Sequence, residues 1–156
     1  MKKAIIFFLL ALGLILPLPA AAIIASPTPA IDYQLPYPGI LPNSPFYNIK
    51  IIRDKVSGFF ISNPLKKAEY TINMADVRMS AALVLTEQKN NPSLAKTTLS
   101  KAQNYLEEAI ANIKTAKAQG IDTQDLVKRL NRARRKHQEI VIEIEKKINK
   151  NEVKKH

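Results

Sequence analysis

The chain contains no cysteine and no tryptophan, only 4 glycines, and 2 histidines among 156 residues. Without cysteine there is no disulfide framework, no thiolate metal site, no lipid attachment through an N-terminal cysteine and no thiol catalysis. One of the histidines is the terminal His156, which leaves little for an imidazole-based triad or a metal cluster. The sequence holds no Gly-rich phosphate loop, no G-x-S-x-G and no H-E-x-x-H. It lacks strand alternation, hairpin signals and repeated βα units, so a β-fold is excluded. Negative charge is scarce: 13 Asp and Glu stand against 24 Lys and Arg, a formal net charge of +11. Apolar residues, by contrast, make up 46% of the chain, enough for one packed domain. Proline is plentiful at 10 residues, and its placement punctuates the chain.

The N-terminus reads as an address. Met1-Lys2-Lys3 is a short basic region, Ala4 to Leu18 an apolar run broken by Pro17, and Ala20-Ala21-Ala22 follows Pro19 as a small-residue cleavage site. That order describes a signal peptide over residues 1–22, cut after Ala22. The competing reading is an uncleaved anchor, because Ala4 to Ala25 is nearly uninterrupted and a span needs about 20 apolar residues. Either way the remainder is expected outside the cytoplasm, secreted or in the cell envelope. Its 22 basic residues then outnumber 13 acidic ones, which suits an envelope protein or an anionic surface polymer as partner better than genomic nucleic acid. Membrane contact is expected only through the anchor or a basic tail.

Residues 23–44 form a Pro-rich spacer and strap, with Pro27, Pro29, Pro36, Pro38 and Pro42. Proline locks φ and biases the preceding residue to extended backbone, so no helix fits. Ser26 to Ala30 is plain spacer, whereas Tyr33, Leu35, Tyr37, Ile40 and Leu41 are too apolar for a solvated linker. The expectation is an extended strap laid over helices, pinned by Tyr33 and Tyr37 and turned at Gly39. The alternative is a docking motif for another protein, since stiff extended segments lose little entropy on binding.

Residues 45–150 read as helical throughout. Ser44-Pro45, Asn63-Pro64 and Asn91-Pro92 each pair an N-cap with proline at the first helical position, and Asp122 marks a fourth start. The first helix, about 45–61, carries Phe46, Ile49, Ile52, Val56, Phe59 and Phe60 on one stripe. The second, third and fourth, about 64–89, 92–118 and 123–150, show apolar steps of three and four with many Ala positions. Gly120 supplies a stop. The fold class is all-α, an elongated up-down bundle of three long helices plus a short first one, with a basic tail over 151–156. The Ala-rich seams leave self-association open.

No enzymatic activity, cofactor or metal is expected. The carboxylates read as surface partners, such as Lys50 with Asp54 and Glu143 with Lys147 at i,i+4. Glu107 and Glu108 point about 100° apart, so they do not converge. His137 falls on the apolar seam of the fourth helix and reads as a buried polar layer, with a pH-sensitive contact as the sharper alternative. Eleven basic and four acidic residues lie from Lys128 to His156. Lys128, Arg129, Arg132, Arg135 and Lys136 share about a 120° arc opposite the seam. That stripe is either a solvated face or a grip for a polyanion or anionic membrane. Aromatics suited to base stacking are not interleaved with it.

The segment Tyr33-Gln34-Leu35-Pro36-Tyr37-Pro38-Gly39-Ile40-Leu41-Pro42 is followed by Ser44-Pro45-Phe46-Tyr47, Lys50, Arg53-Asp54 and Pro64-Leu65-Lys66-Lys67-Ala68-Glu69. Together they resemble a bacterial family of exported helical proteins known as a domain of unknown function. The similarity continues through Ala75-Asp76, Arg78, Ala81-Ala82 and Ser100-Lys101-Ala102 with Tyr105-Leu106, and reaches His137-Gln138-Glu139. The resemblance implies an exported helical module and supplies no reaction, ligand or catalytic residue. The expected role is therefore a non-enzymatic module working by protein–protein or surface contact in the envelope. Polyanion or anionic-membrane binding by the last helix is the alternative.

Overall fold

The computed structural model describes residues 32–153. The expected leader over 1–22, the plain spacer after it and the last three residues of the basic tail lie outside the described residues. Four helices follow one another: α1 (Tyr47–Phe59), α2 (Pro64–Glu87), α3 (Pro92–Ala118) and α4 (Gln124–Val153). Among the described residues there is no strand.

The local signals explain the boundaries. Asn63 Oδ1 accepts from Lys66 N at 3.0 Å and Asn91 Oδ1 from Leu94 N at 3.2 Å, each with proline in the first turn. Each bond satisfies one of the amide donors that a helix start leaves orphaned. Ser44 behaves differently. Its Oγ accepts from Phe46 N within a turn, and α1 begins only at Tyr47. At the end of α3 Ile121 N donates to Ala116 O and Gly120 N to Lys117 O, the double bond pattern of a Schellman stop. That stop puts Gly120 at φ +74°, where a Cβ would be strained even in open space. Asp122 Oδ1 then accepts from Gln124 N at 2.9 Å to start α4.

The helix α2 is the axis of the described helices. Every residue from Met74 to Ala82 is buried, more than two full turns, so α2 is covered on all sides. Two apolar clusters hold α3 and α4 to it. The first joins Ala68 and Ile72 of α2 with Ala109 and Ile113 of α3 and Leu126, Leu130 and Ala133 of α4. The second joins Met79 and Ala82 with Leu99 and Ala102 and with Ile140, Ile144 and Ile148. This pairing makes α3 antiparallel to α2 and α4 parallel to it, the up-down-up order. Burying one Ile, Leu or Met side chain fully is worth about 1.5–3 kcal/mol. The alanines between them let the backbones approach. Between the clusters lies a polar layer, Asp76 of α2 and His137 of α4.

The strap lies along α2, held by Tyr33 but not by Tyr37. Tyr33 Oη donates to Asp76 Oδ2 at 2.6 Å, and Ser80 Oγ donates to Pro36 O at 2.7 Å. Leu35 packs on the second cluster and Pro38 is buried. Tyr37 is 86% exposed and holds nothing down. The chain turns after Gly39, at φ +65°, toward α1.

Candidate functional site

Helix α1 sits on α2 with its polar side inward, the reverse of what its apolar stripe suggests. Its buried residues are Tyr47, Lys50, Asp54 and Gly58. At 100° per residue they fall within about an 80° arc. Ile49, Ile52, Val56 and Phe59 occupy an arc of similar width centred on the opposite side. These four, with Phe46 and Phe60 at the helix ends, are between 50% and 80% exposed. Phe59 and Phe60 stack edge to face with centroids 5.6 Å apart.

Polar contacts lock this orientation. Lys50 Nζ donates to Pro38 O at 2.7 Å and Ile40 O at 3.4 Å, closing the strap's end onto α1. Burial holds the Lys50 ammonium below its ordinary pKa, and the nearby Arg78 cation lowers it further. The expected surface pair of Lys50 with Asp54 is therefore not formed: both are buried, and Lys50 serves carbonyls instead. Asp54 accepts from Arg53 Nη2 at 2.7 Å and faces Arg78 Nη2 across 3.6 Å. Tyr70 Oη donates to the carbonyl of Asp54 at 2.5 Å, and Lys67 Nζ to that of Gly58 at 2.8 Å. A Cβ on Gly58 would stand 3.0 Å from Tyr70 Cε1, so the ring would have to give by a few tenths of an ångström to admit one. The Arg78 guanidinium lies over the rings of Tyr47 and Tyr105, 5.5 Å and 5.9 Å from their centroids. Burial raises the phenol pKa of both Tyr47 and Tyr70.

A second polar cluster occupies another face of α2, because Asp76 and Arg78 are about 200° apart on the helix. Asp76, 2% exposed, accepts from Tyr33 and lies 2.8 Å from His137 Nε2, with Arg129 Nη2 at 3.8 Å. An ionised carboxylate only accepts, so the hydrogen of the His137–Asp76 bond belongs to Nε2. Tyr33 has its pKa pushed up to about 12, first by burial and next by the bond it gives to Asp76. His137 is thus the buried polar layer its seam position suggests. It also borders an open groove between α3 and α4, lined by Leu106, Ile110, Val141 and Ile142.

The basic stripe of α4 divides. Lys128 pairs with Asp125 at 3.0 Å and Lys136 with Glu139 at 3.1 Å. Arg129 turns inward to Asp76, while Arg132 and Arg135 are exposed. Lys147 pairs with Glu143, as expected, and also with Glu87, and these bonds raise its pKa. Among the described residues no group of three or more His, Asp or Glu side chains converges on a metal position. No described helix is long and apolar enough to cross a membrane.

The inward role of Lys50, Asp54 and Arg78 was missed because the apolar stripe of α1 is the louder signal. Two cues for it exist. Tyr47, Lys50, Asp54 and Gly58 recur at helical spacing, and Asp76 and Arg78 interrupt an otherwise uncharged run from Thr71 to Thr86. A family model described as "Domain of unknown function (DUF5667)" matches residues 39–151. No curated protein and no solved structure gives a match.

Proposed function

The chain belongs to the DUF5667 family, and from that premise we propose that it is a non-enzymatic, exported module that works by surface contact in the cell envelope. The observation that carries this reading is the outer face of α1. Four large apolar side chains stand exposed there, with exposed Phe46 and Phe60 at the helix ends, while a lysine and an aspartate are buried on the opposite side. The inward polar arc is satisfied within the monomer, but the apolar arc it displaces outward is not. A contiguous exposed apolar patch on an otherwise polar surface is the usual mark of an interaction site. The polar locks under α1 keep the patch outward, so it is available without rearrangement.

The absence of cysteine makes the test direct. A Val56→Cys chain carries a single thiol on the outer face of α1, and a Lys114→Cys chain carries one on exposed α3. Both react quickly with a maleimide in solution. In the presence of an envelope fraction the α1 thiol is expected to become protected and the α3 thiol to stay reactive. Equal labelling of both would sink the reading.

Polyanion binding by α4 is the second reading, supported by the exposure of Arg132 and Arg135. Its test is a heparin titration over a salt series, with both arginines changed to Gln. Binding that is steep in salt and lost in the variant supports it.

A further inference from the structure

We propose that the outer face of α1 is an interfacial helix that seats on an anionic phospholipid bilayer. This rests on the contact reading above and names its partner. The choice of a bilayer comes from three observations.

The first is the position of the cations. Ile49, Ile52, Val56 and Phe59 define the apolar arc, and Arg53 and Lys55 lie about 40° beyond its two edges. Both are exposed, and exposed Lys66 follows at the start of α2. Cations at the rim of an apolar face reach up to headgroup phosphates while the face enters the acyl boundary. Arg53 already shares Asp54, so Lys55 carries most of the attraction at the rim.

The second is the distribution of aromatics. Phe46 stands at one end of α1 and the Phe59–Phe60 pair at the other, all exposed. Exposed phenylalanines at both ends of an apolar arc with basic flanks match the composition of helices that lie in the plane of a membrane. The third is charge complementarity. Pairing with a second copy would set the cationic rims of the two copies against each other, whereas an anionic bilayer supplies the opposite charge.

The test uses the full chain with Phe59→Trp. This conservative change gives a protein without tryptophan a single indole on the face in question. Its emission reports that face alone, however the rest of the chain holds to lipid. Vesicles of phosphatidylcholine with phosphatidylglycerol should shift the emission to the blue, and salt should reverse the shift. Vesicles of phosphatidylcholine alone should not shift it. Adding Ile52→Glu and Val56→Glu should abolish the response, while Lys55→Gln should weaken partitioning about fivefold.

An equal shift with both vesicle types would overturn the anionic recognition. A shift without lipid that grows with protein concentration would overturn it in favour of self-association. No shift with any vesicle, alongside Val56→Cys protection by the envelope fraction, would overturn the lipid assignment and leave the contact reading standing. No shift and no protection would overturn both.

Discussion

Asp76 joins three separate parts of the chain, the strap through Tyr33, α2 itself and α4 through His137, so its removal should be costly. Asp76→Leu leaves the buried Nε2–H of His137 without an acceptor, which costs about 1–3 kcal/mol. The half-buried Tyr33 loses a short charge-assisted bond but can turn toward water, which adds about 1 kcal/mol. Leucine between two apolar clusters recovers part of this, so the expected net loss is about 2–3 kcal/mol. In a domain of this size that is a fall of about 4–12 °C in Tm. Asp76→Asn should cost less, about 1–2 kcal/mol. The amide oxygen can still accept from the Nε2–H of His137, and its NH2 can donate to the Tyr33 hydroxyl, which accepts as well as donates. The informative variant is the double one. Asp76→Leu with His137→Leu removes both buried polar partners, and replacing a pair by apolar groups is often close to neutral. It should therefore be more stable than Asp76→Leu alone, by about 1–2 kcal/mol. Urea unfolding followed by far-ultraviolet circular dichroism measures all four proteins, with an unchanged m-value as the check that one transition is being compared. A double variant that shows only the sum of two independent losses would refute the coupling, and a neutral Asp76→Leu would refute the cost of the orphaned imidazole.

Three further outcomes follow from the same contacts. Tyr37→Ser should leave urea stability within about 0.5 kcal/mol of the parent, whereas Tyr33→Phe should lose about 1 kcal/mol, because only Tyr33 donates a hydrogen bond to α2. Gly120→Ala should cost about 1 kcal/mol through its φ of +74° alone, while Gly58→Ala should destabilise by crowding the ring of Tyr70, so that in a Tyr70→Ala background Gly58→Ala should cost little and Gly120→Ala its full amount. Stability should fall as pH rises from about 10 to about 12, because Tyr33 keeps its proton up to about 12 when folded and loses it near 10 when unfolded. The raised Tyr47 and Tyr70 act in the same direction and the lowered Lys50 against it. Urea midpoints across that range should fall more for the parent than for Tyr33→Phe.

Features encoded within a few residues were legible in the sequence. Asn63 and Asn91 cap α2 and α3 because an N-cap needs only its own side chain and the next three amides. Gly120 stops α3 because the stop needs only a residue tolerant of left-handed backbone. The seams of α2, α3 and α4 were legible because three long helices sharing one axis must turn their apolar steps toward one another. His137 could be placed because it stands at seam spacing between Ala133 and Ile140, and all three are buried.

The orientation of α1 was not legible for a reason that is physical rather than statistical. An apolar stripe states that a face avoids water, but what it meets depends on the surface its neighbour has left. The apolar seam of α2 is consumed by α3 and α4. What α2 still offers is Tyr70, Arg78 and Lys67, groups that want carboxylate and carbonyl oxygens. Only the Asp54 side of α1 can supply those, so the polar arc turns inward and the apolar arc is displaced outward. The same logic reassigns Lys50 from a surface partner of Asp54 to a donor for Pro38 and Ile40. Tyr33 and Tyr37 differ in the same way. Both are tyrosines in one strap, yet only Tyr33 passes over a carboxylate, and a tyrosine hydroxyl pins a segment only where an acceptor is already waiting. Burial of charge beneath an exposed apolar face thus follows from which helix sides were already occupied, and it leaves α1 with a surface that binding to an anionic bilayer would satisfy.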